Sequence, residues 1–205
     1  MHKSPSERFS LCRERVHDDA FEAQLALLMV APLLNNDLDA LTVDYVHKSG
    51  IFLRRALTRY VTLALFRLLD KPNDSGRTGI TVSIYSLLEM AKAESVLSDA
   101  QYRNLVTEIE IIKTSGAEGE YDLVQSIRDL RNIQVAHSLI PWVPTDNIYA
   151  HHLFEFTEKI FDYVVSLETM LATATGITLN DLRGSAQTFG SSAGQFWHAV
   201  GLKCV

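Results

Sequence analysis

The chemistry-bearing residues of this chain converge on one stretch, "RDLRNIQVAHSLIP" (128–141), which carries Arg131, Asn132 and, six positions after the arginine, His137. An imidazole that titrates near neutrality suits proton transfer, and a guanidinium suits the stabilisation of negative charge. A small polar catalytic cluster is therefore one account of the stretch. An ordinary core helix with one hydrogen-bonded histidine is the other.

Helical geometry separates the two. With about 100° per residue, Ile127, Leu130, Gln134 and His137 fall within about 40° of Leu123, one stripe that is apolar at its start and polar at its end. Arg131 lies about 120° and about 9 Å of rise from His137 on a straight helix, so the two share no face. A buried polar end is costly unless satisfied. Either a neighbour in the core satisfies His137 and Arg131 pairs at the surface, or two copies of the helix meet across a two-fold axis and bring both residues into one cleft.

Apolar residues recur at three- and four-residue spacing along most of the chain, and strict alternation over a strand length is rare, so the pattern predicts an all-α fold. Helices are expected over 9–34, with Pro32 ending or kinking the first, and over 38–69, 81–93, 99–114, 120–139 and from Thr145 or Asp146 to about 174. The loop "DKPNDSGRTG" (70–79) is the clearest break. Ser98 and Gln101 form a capping box, the acidic "EGEYD" (118–122) places charge at a helix N-terminus, and Pro141 and Pro144 stop the motif helix. Thr178 and Asp181 resemble a capping pair for a short helical turn. The division expected is a domain over 1–183 and a tail over 184–205 whose Phe189, Phe196 and Trp197 pack on the domain or on a partner subunit.

The length of 205 residues is enough for a core that needs neither disulfides nor metal. The two cysteines, Cys12 and Cys204, lie near opposite ends without CxxC spacing, which suits a reducing cytoplasm and suggests no zinc site. The apolar run at 25–34 follows Asp18, Asp19 and Glu22 in place of a basic leader, and it is too short to span a bilayer, so no membrane attachment is expected. A net charge of −6 means that any grip on nucleic acid must be local. Lys48, Arg55 and Arg59 supply one candidate: Arg55 and Arg59 lie within about 20° of Lys48 on the second helix, with Arg54 beside them. That stripe either contacts phosphates or is a solvated face whose aliphatic stems cover apolar neighbours. Arg128 and Ser138 are adjacent polar candidates for substrate contact, with helix-surface roles as the alternative. His151 and His152 are neighbours and diverge by about 100°, a poor arrangement for one metal. No HExxH, phosphate loop or serine elbow occurs, and neither metal nor cofactor is expected.

The Arg-Asn pair, four intervening residues and His in "RDLRNIQVAHS" resemble the motif of the HEPN superfamily, small all-α domains that include many ribonucleases and toxins. Upstream, "FLRRALTRYVTLALFRLLDKPNDSGRTGITVSIYSLLEM" is similar to the abortive-infection, AbiU-like branch, and the resemblance spans roughly residues 40–170. It implies a HEPN-like helical bundle with a short C-terminal helical tail, and a homodimer whose two Arg–His motifs form one composite cleft. It further implies cleavage of RNA without metal, His137 acting as base or acid on a ribose 2′-hydroxyl, Arg131 stabilising the pentacoordinate phosphate and Asn132 orienting groups. A cognate antitoxin protein is an expected partner of such a toxin. The other reading is a non-catalytic dimeric module that binds a nucleotide, RNA or a partner protein.

Overall fold

A computed structural model describes residues 4–35, 44–71, 82–115, 122–136, 150–199 and 202. Among them are seven helices and no strand: α1 (Pro5–Asn35), α2 (Asp44–Leu69), α3 (Ile84–Ala93), α4 (Asp99–Ser115), α5 (Leu123–Ala136), α6 (Ala150–Thr175) and α7 (Leu182–Ala199). The all-α bundle expected from periodicity is the architecture observed.

The long α1 is the central element, in contact with α2, α3, α6 and α7. Its buried stripe, Phe9, Cys12, Val16, Ala20, Ala23, Leu27 and Val30, steps by three or four residues and so faces one way along the helix. Pro32 does not stop it. The helix continues to Asn35, which leaves proline in the last turn, where little helix follows it. Leu65 and Leu68 of α2, Ile84, Leu87 and Leu88 of α3, Ile109 of α4, Leu123 and Ile127 of α5 and Leu153, Ile160 and Leu167 of α6 complete one cluster. Removing a large aliphatic side chain of this kind from water contributes about 1.5–3 kcal/mol.

Local chemistry sets the helix ends. Ser98 and Gln101 exchange the expected reciprocal bonds: the Gln101 N–H donates to Ser98 Oγ at 3.3 Å and the Ser98 N–H to Gln101 Oε1 at 2.9 Å. Ser83 caps α3, its Oγ accepting from the Ser86 N–H. Gly176 ends α6 at φ +70°, a conformation that glycine adopts at little cost, with its N–H bonded to Ala172 O at 2.9 Å.

The chain beyond 176 is more regular than its small, glycine-dotted composition suggests. Instead of a short turn, α7 runs for 18 residues along α1. Trp197 is buried beside Leu33 and Leu202, Phe196 meets the Trp197 ring edge-on at 4.8 Å, and Phe189 is half-buried.

Candidate functional site

The helix that carries the motif is anchored at its start. Asp122 caps α5, its carboxylate accepting from the Gln125 N–H at 2.8 Å. This is the last residue of the acidic stretch, in the position where an anion complements the helix dipole. Leu123 and Ile127 are buried in the main core, while Gln125, Arg128 and Asp129 face solvent, with Gln125 donating to Asp129 one turn on. The inward stripe predicted from spacing therefore exists over this half of the helix.

Arg131 and Asn132 lie on α5 directly after this anchored segment, and for positions 130–136 it is the backbone that is described. His137 and Ser138 lie outside the described residues, as does the turn with Pro141 and Pro144. Arg128 is exposed on the same helix, one turn before Arg131.

The element against which α5 packs is α2. Lys48 and Arg55 are exposed on it, and Arg54 and Arg59 are half-buried. The buried Arg59 Nε has no hydrogen-bond partner among the described residues. Phe52 also lies in this stripe, one turn from Lys48 and one from Arg55, and is 70% exposed. Sequence reading by charge alone passes over it, although an aromatic interleaved with basic residues is the pattern of a base-stacking surface. The far end of α2 is fixed by Arg67, which donates to both oxygens of the buried Asp19, at 3.2 and 2.8 Å. Its guanidinium pKa is raised, chiefly by that hydrogen bond.

A second group went unnoticed in the sequence because its members are scattered. Lys113 of α4 is buried, its ammonium donating to the Tyr85 hydroxyl at 3.1 Å, and Tyr85 donates to Glu110 at 2.6 Å. Lys71, just past α2, reaches the same Glu110 oxygen at 2.8 Å, and Lys113 stands 3.8 Å from it. Burial pushes the Glu110 carboxyl up, but the bonds from Lys71 and Tyr85 and the charge of Lys113 outweigh it and hold the pKa below the usual value. Lys113 is lowered, first by burial and then by the charges of Lys71 and Arg128 acting against Glu110.

No three metal-ligating side chains converge among the described residues. The rings of His151 and His152 lie 4.1 Å apart and tilted by 60°, closer together than their helical divergence suggests. No described helix is long and apolar enough to cross a membrane.

The AbiU2 family of HEPN proteins matches residues 47–189, from the second turn of α2 into α7 and across the whole motif. The chain belongs to the HEPN AbiU2 family. No curated protein and no solved structure matches it. The AbiU2 match begins one residue before Lys48 and takes in Lys71, Lys113 and Arg128 as well as Arg131 and His137, while α1, the helix that organises the core, lies outside it.

Proposed function

We propose that this AbiU2 protein is a metal-independent endoribonuclease of a defence or toxin type, acting as a homodimer with a composite site built from two copies of the Arg131–His137 motif. The observation that carries the proposal is the place of Arg131 and Asn132 on a core-anchored helix inside the family's matched span, with His137 six positions after the arginine. On one straight helix that spacing parts the two side chains by about 120°, whereas a two-fold axis lets each face its counterpart in the second copy.

In the proposed reaction His137 takes the proton of a ribose 2′-hydroxyl, and the 2′-oxygen attacks the adjacent phosphorus. The bond from phosphorus to the 5′-oxygen breaks, and that oxygen takes a proton from an imidazolium, the second copy's histidine serving as the acid. Arg131 donates to the phosphate oxygens as charge builds on them, and Asn132 orients the reacting groups. The products are a 2′,3′-cyclic phosphate and a 5′-hydroxyl.

Incubation of the purified protein with RNA in EDTA tests this. Wild type is expected to cleave and a folded His137→Ala variant to lose activity by at least about 100-fold, the usual contribution of a positioned acid–base group. Activity that survives in the variant, or that needs added metal, contradicts the reading. RNA binding without cleavage would favour the non-catalytic module.

A further inference from the structure

A cavity of about 490 Å³ lies where α1, α6 and the start of α7 meet. That volume falls in the range of about 300–1,000 Å³ that small-molecule sites occupy. Val165, Ala172 and Leu182 supply apolar wall, and Thr169, Thr173 and Asp181 are exposed at the rim. No described lining residue belongs to α2 or α5, so the cavity is separate from the Arg131–His137 motif and does not depend on the ribonuclease reading.

Two buried charges also line it. Arg13 and Glu168 are 3% and 8% exposed, and the Arg13 Nε donates to Glu168 Oε2 at 2.9 Å. Nη2 stands 2.8 Å from the same oxygen without being directed at it. The pair is thus balanced in charge but not in hydrogen bonding: Nη2 and Glu168 Oε1 are both buried with no hydrogen-bond partner among the described residues. A buried donor and a buried acceptor left in this state are costly, and a group that bonds to both removes the cost. The rim, by contrast, is short of donors. Thr169 and Thr173 donate their hydroxyl protons to Val165 O and Thr169 O, each at 2.9 Å, so towards a ligand their oxygens only accept. Asp181, the residue before α7, has one carboxylate oxygen over Gly184 in the first turn and keeps further acceptor sites.

These groups define the ligand. A hydroxyl can donate to Glu168 Oε1 and accept from Arg13 Nη2 at once, and it adds no charge beside the buried pair. An ammonium, which only donates, suits the Asp181 carboxylate and the two threonine oxygens. A phosphate or carboxylate brings acceptors where acceptors already stand and meets Asp181 as a like charge. We infer that this cavity binds a small hydroxylated amine, an amino alcohol or amino sugar, with a hydroxyl on the Arg13–Glu168 pair and its ammonium beside Asp181. Because Nη2 and Oε1 are buried, the two side chains turn towards the ligand as it enters, and its carbon skeleton lies against Val165, Ala172 and Leu182.

The test titrates the full-length, ¹⁵N-labelled chain with D-glucosamine, D-glucose and D-glucose 6-phosphate and follows backbone amide shifts. Glucosamine should move the amides of Glu168, Thr173 and Asp181 saturably, with a Kd of about 1 mM or tighter. Glucose, which lacks the ammonium, should bind at least about threefold more weakly, the size of effect expected of an exposed charge pair. Asp181→Asn keeps a residue that caps α7 and should erase that preference. Ala172→Phe fills the cavity and should abolish the shifts caused by all three sugars. Thr169→Val with Thr173→Val removes two exposed acceptors and should weaken glucosamine at least about threefold. An absence of saturable shifts at these amides up to about 10 mM glucosamine overturns the inference. So do shifts that persist in a folded Ala172→Phe variant, and if that variant does not fold, an unchanged glucosamine affinity in the double threonine variant decides against it. Glucose 6-phosphate that binds more tightly than glucosamine assigns the cavity to anions and overturns it too.

Discussion

Arg13 and Glu168 show what single residues contribute to holding the bundle. The Arg13 Nε donates to Glu168 at 2.9 Å, its Nη2 lies 2.8 Å from the same oxygen, and its Nη1 reaches Thr175 Oγ1 at 3.3 Å. Both charged residues are buried, and the second carboxylate oxygen has no hydrogen-bond partner among the described residues. Removing one member of such a pair strands the other, at a cost of about 3–5 kcal/mol. Arg13→Met should lower unfolding free energy by that amount in urea titration, and a loss below about 1 kcal/mol would show that water reaches the pair. At the residue before it, on the same helix, burial pushes the Cys12 thiol up to about 11, with a backbone hydrogen bond at Ser83 opposing it. A thiol of this kind packs as a small apolar group. None of this was legible in the sequence, because partners 155 positions apart carry no spacing signal. Lys113 is a second case: it follows the buried Leu105 and Ile109 at four-residue spacing on α4, but its polar partner, Tyr85, comes from α3.

Helices were legible where their ends are written locally. Ser98 with Gln101 and the acidic start of α5 appear at the expected positions, since a cap needs only residues a few places apart. The end of α3 at Ala93 was anticipated, but the geometry that closes it was not. The Val96 N–H bonds to Ala91 O and the Ser95 N–H to Lys92 O, a Schellman pair that places Ser95 at φ 58°. The left-handed region costs a residue with a side chain roughly 1–2 kcal/mol, which glycine avoids at some cost in unfolded-state entropy. Ser95→Gly should therefore stabilise the protein by about 0.5–1 kcal/mol and raise Tm by roughly 1–4 °C. A lower Tm would mean that the serine hydroxyl makes a compensating bond. The length of α7 was missed for a different reason. Glycine and serine lower helix propensity, but Leu182, Ala186, Ala193 and Trp197 bury one face, and tertiary packing overrides the local preference.

At the scale of the whole molecule, the class of fold was legible in the sequence, because helical periodicity is written locally. The stripe of Leu123 and Ile127 showed which face of α5 points inward. It could not show that Lys71 and Lys113 share Glu110 beside Tyr85, because these residues belong to segments whose proximity is a product of the fold. With a net charge of −6 the protein has little general attraction for nucleic acid, so the proposed RNA binding needs a local basic surface, for which the exposed Lys48, Phe52 and Arg55 of α2 are candidates. A composite site also requires two copies. Light scattering at micromolar concentration should give about twice the chain mass of 23.0 kDa, and a monomer at that concentration would contradict the two-fold arrangement.

The central claim is that the α5 motif performs transesterification at a ribose 2′-oxygen, and the chemistry of the cut ends tests it most directly. Wild type and His137→Ala are incubated with RNA in EDTA, and the product termini are analysed by mass. The account predicts 2′,3′-cyclic phosphate and 5′-hydroxyl ends from wild type alone. Cleavage that leaves 5′-phosphates, or identical products from the variant, would contradict it.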